Sequence, residues 1–165
     1  MATPCSNYIH SNIMTGAYPG HADENLHNQY ISNILFHGIN MVICLQEPFE
    51  MTNYRDYISL MNLEYYNFPI KDRKSGTYEQ VKYIVDFILY YAITCNRKIY
   101  LHCQGGHGRT GMISTILIKK LYNMNIKDSL KLWYEYHDSR VNKNVSKTGK
   151  PGRLTREQLK MLDNF

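Results

Sequence analysis

The stretch from Lys98 to Met112, KIYLHCQGGHGRTGM, constrains the fold of this chain more than any other part of it. The apolar run at 99–101 predicts a short buried strand, the glycines after it predict a loop, and the apolar pattern after Arg109 predicts a helix. A glycine-rich loop that opens a helix directs backbone N–H groups and the positive end of the helix dipole at one place, which suits an oxyanion such as phosphate. The stretch therefore predicts a strand, an anion-binding loop and a helix.

The loop begins with Cys103 and ends with Arg109. Amide groups, a helix N-terminus and a guanidinium all favour the thiolate, which is the nucleophilic form of cysteine. The same donors suit the equatorial oxygens of a transferring phosphoryl group, and arginine can bind two of them as a fork. We therefore predict that Cys103 is a nucleophile. The predicted phosphate-binding residues are Gln104, Gly105, Gly106, His107, Gly108 and Arg109. The alternative is an anion-shaped helix start with a buried structural cysteine.

The rest of the chain alternates between predicted strands and predicted helices. Strands are predicted at 7–14, 41–45, 63–69 and 99–101, and helices at 23–37, 54–61, 77–95, 112–122, 125–136 and 155–162. Capping signals start three of the helices, with Asp23 alone, Thr77 with Gln80, and Thr155 with Gln158. The order predicts one α/β domain over residues 1–165, with a mostly parallel sheet flanked by helices on both faces. Ligands bind beyond the carboxyl ends of such strands, where Cys103 would lie.

Composition narrows the setting of this fold. The net charge of +5 favours phosphorylated partners, and the four cysteines form no CxxC pair, so neither a zinc site nor a disulfide framework is indicated. A reduced, cytoplasmic location is the default expectation. The N-terminus lacks the pattern of a signal peptide and no apolar run approaches the ~20 residues that cross a bilayer, so we expect no integral membrane association.

The ten residues from His102 to Gly111, HCQGGHGRTG, resemble the phosphate-binding loop of the cysteine-dependent protein tyrosine phosphatases, near the compact dual-specificity branch. The segments GAYPG, MVICL, FPIKD and LTREQ extend the resemblance over most of the chain. It implies a phosphatase-like fold and hydrolysis through a cysteinyl-phosphate intermediate, with no metal or other cofactor. It also implies an aspartic acid that protonates the leaving group.

Asp72 is the aspartate that fits this role best. A carboxylic acid must reach over the loop from a neighbouring strand end, and Asp72 lies in a polar loop after a predicted strand, at about the family's separation from the cysteine. Asp56 and Asp86 fall within predicted helices, and Asp128 and Asp138 follow the loop. The alternative is that Asp72 only caps a turn in a charged loop.

Three further residues match supporting positions of the family. Thr110 resembles the hydroxyl residue that helps the thiolate leave, although it could instead satisfy backbone donors in the first helical turn. His102 resembles the residue whose imidazole orders the loop carbonyls and tunes the cysteine. Gln158 resembles the glutamine that places the hydrolytic water, and capping of its own helix explains it equally well.

Two residues bear on specificity and on redox chemistry. His107 occupies a loop position at the cleft rim, where a basic residue in relatives is linked with highly charged substrates such as phosphoinositides. A neutral histidine supports that only weakly. Cys44, on a strand next to the central one, could trap Cys103 in a protective disulfide. A buried core cysteine is the other interpretation.

The sequence therefore predicts a phosphatase that acts on phosphotyrosine and phosphoserine or phosphothreonine in proteins. A phosphoinositide or the 5′ end of RNA is an alternative substrate, and the basic segment 143–156 would suit such a polyanion, but it lacks the interleaved aromatic residues of a stacking surface. A phosphate-binding module without catalysis is the alternative from another functional class. The sequence does not indicate an oligomeric state.

Overall fold

A computed structural model describes residues 5–50, 62–141 and 152–165 of the chain. A five-stranded sheet is formed by β1 (Ser6–His10), β2 (Ile13–Gly16), β3 (Met41–Cys44), β4 (Glu64–Asn67) and β5 (Ile99–His102). The strand order is β1-β2-β5-β3-β4, and every neighbouring pair is parallel except β1 with β2. The prediction of a mostly parallel sheet is confirmed.

Five helices accompany the sheet within the described residues. They are α1 (Glu24–Phe36), α2 (Tyr78–Leu89), α3 (Gly108–Tyr122), α4 (Ile126–Asp138) and α5 (Arg156–Leu162). A short 3-10 turn at Pro48–Glu50 follows β3, and a π-helical turn at Tyr90–Thr94 continues α2. None of the described helices is long and apolar enough to cross a membrane.

The helices cover both faces of the sheet because strand side chains alternate in direction. Met14, Val42 and Tyr100 pack on one face in a cluster with Ile31 and Ile34 of α1. The alternate strand residues, such as Ile43 and Leu101, pack on the other face in a larger cluster with apolar residues of α2, α3 and α4. The predicted helical layers on both faces are therefore confirmed.

The carboxyl ends of the parallel strands meet along one edge. At this edge Cys44 lies in register with His102, and the backbone N–H of Leu45 donates to the carbonyl of His102 at 2.9 Å. The segments that leave β2, β3, β4 and β5 emerge here together. This edge is where the sequence predicted a site.

The prediction of one opening strand at 7–14 was wrong. The chain instead forms the antiparallel hairpin of β1 and β2. Its turn is fixed by Asn12, whose backbone N–H donates to His10 Nδ1 at 3.1 Å and whose side chain donates to the Ala92 carbonyl at 2.9 Å and to Asn96 at 2.8 Å. The side-chain contacts come from distant residues, so the alternating pattern alone did not show the turn.

Other boundaries differ by a few residues. β4 is shorter than the predicted strand at 63–69, and α3 begins at Gly108 rather than at residue 112. The N-caps Asp23 and Thr77 are confirmed, but the Gln80 side chain donates to the Pro69 carbonyl at 2.8 Å, so the predicted reciprocal capping box at α2 was wrong. The reciprocal box at α5 is confirmed.

Two predictions fall partly or wholly outside the residues that the structure describes. The predicted helix at 54–61 lies outside the described residues. The polar, basic run at 138–153, with its glycines and proline, predicts a loop, and most of that run also lies outside the described residues. Its first residue, Asp138, is the last residue of α4.

Candidate active site

The loop between β5 and α3 forms the floor of a cleft of about 160 Å³. The cleft is lined by Asp72, Arg73, Cys103, Gln104, Gly105, His107, Gly108, Arg109, Arg153, Thr155 and Gln158. The structure thus brings together eight residues that the sequence singled out. Gly106, Thr110 and His102 are buried beside the cleft and do not line it.

Gly106 sets the shape of this loop. Its φ is +69°, and an added Cβ would lie 2.4 Å from the carbonyl carbon and oxygen of Gly16, so only glycine fits. The Gly106 carbonyl accepts a hydrogen bond from Arg140 Nη1 at 3.0 Å. On the other side, the Tyr18 N–H donates to the Gln104 carbonyl at 3.0 Å. Residues that directly follow the hairpin and α4 therefore brace the loop from two directions.

Arg109 is fixed by a carboxylate that the sequence did not point to. Its guanidinium is only 2% exposed and donates to both oxygens of Glu50, at 2.7 and 2.8 Å, and to the Ile70 carbonyl at 2.9 Å. Burial acts to raise the pKa of Glu50, but the bonds from Arg109 and from the Glu47 N–H outweigh it, and the pKa lies below its ordinary value. Glu50 therefore stays ionised and orients the guanidinium.

Asp72 lies at the same guanidinium. Its Oδ1 is 3.1 Å from Arg109 Nη2, and the side chain is 63% exposed toward the cleft opening. Two alternative aspartates are engaged elsewhere: Asp86 pairs with Lys82 at 2.6 Å, and Asp128 Oδ2 accepts from Nδ2 of its helix cap Asn125. Asp56 lies outside the described residues.

Cys103 is buried, with 3% of its surface exposed at the base of the cleft. His102, directly before it, lies with Nδ1 3.3 Å from the Cys103 carbonyl oxygen. Burial lowers the pKa of His102 to about 4, so the ring is neutral and its Nδ1–H donates to that carbonyl.

The Thr110 hydroxyl is buried and makes no hydrogen bond within the described residues. The interpretation that this hydroxyl accepts from backbone donors of the first helical turn is therefore not supported, because no such bond is present within the described residues. A buried hydroxyl without a partner is costly in a folded protein. Thr110 lies directly after Arg109 in the first turn of α3.

His107 is part of a chain of four side chains. Its Nδ1 is 2.6 Å from Nε2 of the buried His137, whose Nδ1 is 3.0 Å from Asp138 Oδ1. Arg153 binds both Asp138 oxygens, at 2.9 and 2.8 Å, and this pairing is the main reason that the pKa of Asp138 falls to about 2. Ionised Asp138 accepts from His137 Nδ1–H, which leaves His137 Nε2 to accept from His107 Nδ1–H.

Gln158 is fully buried, and both ends of its amide are used. Its Oε1 accepts from the Thr155 N–H at 2.9 Å, and its Nε2 donates to the Lys74 carbonyl at 3.1 Å. The capping interpretation is therefore observed, and the side chain also lines the cleft beside Gly108, where an added Cβ would lie 2.8 Å from Oε1.

Sequence reasoning missed Glu50, Arg140 and His137. Arg140 is 2% exposed, and burial lowers its pKa to about 10; its Nε donates to Asn7 at 2.6 Å while Nη1 holds the loop. None of these residues belongs to a local motif, and each makes a contact with a residue far along the chain: Glu50 with Arg109, Arg140 with Gly106, and His137 with His107. The available signal was the spacing of His137 four residues after Trp133, on the buried face of α4. The segments around Glu50 and Arg140 give no such signal.

Cys44 is the last residue of β3 and is fully buried. Its sulfur accepts from the Gln46 N–H at 3.4 Å. The buried-core interpretation fits this position, and a disulfide with Cys103 stays a prediction.

Two curated viral proteins match part of the chain. The protein named "Putative tyrosine phosphatase 067L" of Invertebrate iridescent virus 3 is 38% identical over 81 residues, which are 46% of this chain and 33% of that protein. "Putative tyrosine phosphatase 197R" of Invertebrate iridescent virus 6 is 37% identical over 65 residues, or 38% of this chain and 24% of that protein. The chain thus matches a third or less of the length of these relatives.

Solved structures share the fold over nearly the whole chain. Tk-PTP in the active form has a TM-score of 0.75 at 19% identity, covering 98% of this chain and 95% of that one. Kinase associated phosphatase, with its catalytic cysteine substituted by serine, has a TM-score of 0.75 at 17% identity, covering 99% and 94%. PTPMT1 in complex with PI(5)P has a TM-score of 0.70 at 15% identity, covering 96% and 92%.

A family-level sequence comparison covers more of the chain than either viral relative. The sequence profile described as "PTP-SAK: Swiss Army Knife protein, DSP-PTPase phosphatase domain" matches residues 5–157. These residues include the hairpin that braces the loop, the segment with Asp72, and the N-cap and first two residues of α5. The protein therefore belongs to this family of DSP-PTPase phosphatase domains.

Proposed function

We propose that this chain is a metal-independent phosphatase that hydrolyses phosphate monoesters on proteins, at phosphotyrosine and at phosphoserine or phosphothreonine. The observation that carries the proposal is that Cys103, Arg109 and Asp72 line one cleft. These three side chains supply a nucleophile, a bidentate oxyanion ligand and a proton donor, which are the groups that the reaction needs. Membership of the DSP-PTPase family supports the same chemistry.

In the first step, the Cys103 thiolate forms a bond to phosphorus while the bond from phosphorus to the leaving oxygen breaks. Protonated Asp72 gives its proton to that oxygen. Backbone N–H groups of 104–108 and the Arg109 fork hold the equatorial oxygens. Glu50 keeps the guanidinium in place, and Asp72 contacts its Nη2 before a phosphate arrives.

In the second step, a water attacks the cysteinyl phosphate and the bond between sulfur and phosphorus breaks. Asp72, now a carboxylate, takes a proton from that water. The Thr110 hydroxyl donates to the departing thiolate, which gives its unpartnered donor a role. Gln158 helps to line the place from which the water approaches.

The test is turnover of p-nitrophenyl phosphate and of phosphotyrosine and phosphoserine peptides in the presence of a metal chelator. We expect turnover by the wild type, none measurable by Cys103→Ser, and vanadate binding by both. A cysteinyl phosphate trapped by rapid acid quench would identify the intermediate. Near wild-type activity in Cys103→Ser would refute the covalent route, and vanadate binding without any wild-type turnover would favour a binding module.

A multiply phosphorylated substrate, such as a phosphoinositide or the 5′ end of RNA, is a second candidate. Arg73 and Arg153 line the cleft with Arg109, and the exposed Arg73 side chain makes no hydrogen bond within the described residues. If a second phosphate binds there, Arg73→Ala raises KM for a phosphoinositide bisphosphate more than for a phosphopeptide. An equal change in KM for both substrates would reject this candidate. The proposed cytoplasmic location rests on the cysteine pattern of the sequence.

A further inference from the structure

The segment 71–76, which carries Asp72 and is called here the acid segment, is bound by the first turn of α5. The Thr155 hydroxyl donates to the Arg73 carbonyl at 3.0 Å. The Gln158 amide donates to the next carbonyl, that of Lys74, at 3.1 Å. Two consecutive carbonyls of the acid segment are thus fixed by residues of a helix more than eighty positions away.

Glu157 binds the same segment from the side. Its Oε1 accepts from the backbone N–H of Ser75 at 3.2 Å, and its Oε2 pairs with Lys74 Nζ at 2.9 Å. The ion pair is about half exposed on both sides and contributes little by itself, because water screens it. Ser75 is only 5% exposed, so the bond to its N–H is the better protected of the two contacts.

The backbone next to Asp72 needs such support. Arg73 has a φ of +63°, a left-handed conformation that glycine adopts readily and arginine does not. The turn is closed by the Lys74 N–H, which donates to the Lys71 carbonyl at 3.0 Å. A non-glycine residue persists in this conformation only where its surroundings fix it. The contacts from α5 supply that fixation directly after Asp72.

We propose that Glu157 is a positioning residue for proton transfer, one that keeps the acid segment over the cleft before a substrate arrives. The inference rests on the proposed role of Asp72 as the proton donor. It makes the acid segment a preformed part of the cleft, held there by α5. Glu157 itself does not line the cleft and does not touch the reacting atoms.

Glu79 provides a matched control. It is the second residue of α2, as Glu157 is the second residue of α5, so both carboxylates occupy the same position relative to a helix N-terminus. Glu79 is exposed and makes no hydrogen bond or ion pair within the described residues. Replacement of Glu79 therefore reports the loss of a helix-terminal charge without the loss of a contact to the acid segment.

The experiment compares a phosphoserine peptide, whose leaving group needs a proton, with p-nitrophenyl phosphate, whose leaving group is stable without one. We expect Glu157→Ala to lower kcat for the peptide by about tenfold, in keeping with the cost of a misplaced catalytic group, and to leave KM unchanged. The loss for p-nitrophenyl phosphate should be much smaller, and the basic limb of the pH profile for the peptide should flatten. Glu157→Gln should recover part of the loss because an amide oxygen can still accept from Ser75.

Asp72→Asn and Glu79→Ala are measured in parallel. A selective loss in Asp72→Asn without one in Glu157→Ala overturns this inference and leaves the proposed function intact. An equal loss on both substrates in Glu157→Ala, or the same loss in Glu79→Ala, also overturns it. No selective loss in Asp72→Asn overturns the assignment of Asp72 and this inference with it.

Discussion

The phosphate loop at 103–108 and the acid segment at 71–76 face each other across the cleft, but they are held in different ways. The phosphate loop is braced by buried groups: the backbone of Gly16, the guanidinium of Arg140 and the start of α3. The acid segment is held by contacts that are partly exposed and come from α5. One side of the cleft is therefore part of the core, while the other is attached to the surface of a neighbouring helix.

This difference indicates how each half responds to change. A substitution in the phosphate loop removes a ligand of the phosphate or disturbs the core. A substitution at the acid segment moves one proton donor and leaves phosphate binding in place. Activity lost through changes in the phosphate loop and Arg109, called here the phosphate side, should therefore be lost with every substrate. Activity lost through changes in the acid segment, called here the acid side, should depend on the leaving group.

Arg109 gives the largest effect and tests the phosphate side. We expect Arg109→Lys to lower kcat/KM by about 10³-fold, nearly as much as Arg109→Ala, because an ammonium group cannot form the fork. The measurement is steady-state turnover of p-nitrophenyl phosphate. Arg97→Lys, at an arginine paired with Glu64 on the surface, serves as the control and should have little effect. A lysine variant with activity near wild type would show that the bidentate geometry is not needed.

Asp72 gives the next effect and tests the acid side. Asp72→Ala should lower kcat by roughly 10²-fold for a phosphoserine peptide, since the leaving alkoxide receives no proton. The loss should be smaller for p-nitrophenyl phosphate. Asp86→Ala, which removes a carboxylate paired with Lys82 on α2, is the control. If Asp86→Ala or Asp138→Ala showed the selective loss instead, another carboxylate would be the proton donor.

Acidification should lower the free energy of unfolding through His102, the residue directly before Cys103. The pKa of His102 is lowered from 6.5 to about 4 in the folded state, so the unfolded chain binds more protons between these values. The contribution of His102 to stability is full above pH 6.5 and is lost as the pH falls. From pH 7 to pH 5 its share of the loss in the free energy of unfolding should be about 2 kcal/mol.

Urea unfolding at the two pH values measures this change, with His102→Gln as the comparison. NMR titration of the His102 ring gives a direct check. A ring that titrates near its ordinary pKa would contradict the buried, neutral histidine.

Asp138 should give the smallest effect, because it contacts His137 and Arg153 and does not itself line the cleft. Asp138→Asn removes the charge that pairs with Arg153 and fixes the His137 tautomer, on a side chain that is one third exposed. We expect kcat/KM to change by no more than about threefold. A much larger loss would mean that the orientation of His107 matters directly for binding, and the KM for phosphopeptides would reveal it.

The phosphate side was predictable from the sequence because its determinants are contiguous. Cys103, the glycines and Arg109 lie in one stretch, and the strand before it and the helix after it follow from local hydropathy. The anchor of the arginine was not predictable. Glu50 lies 59 positions before Arg109, and nothing in its local pattern distinguishes it from a surface glutamate.

The acid side was predictable only in outline. Asp72 was chosen from its place after a strand, and the structure sets it 3.1 Å from Arg109. The contacts that hold it depend on how α5 packs beside a loop distant in sequence. The same limit explains the missed hairpin, since the turn at Asn12 is fixed by Ala92 and Asn96.

The close approach of Gly106 to Gly16 has a consequence for protein engineering. The first strands pack against the underside of the phosphate loop, although they contribute no side chain to the cleft. A fragment that starts after β2 would retain Cys103, Arg109 and Asp72 but lose this support. The catalytic motif is therefore not sufficient by itself. A graft into another scaffold would also need a strand end whose backbone, like that of Gly16, can lie in direct contact with the backbone of the loop glycine.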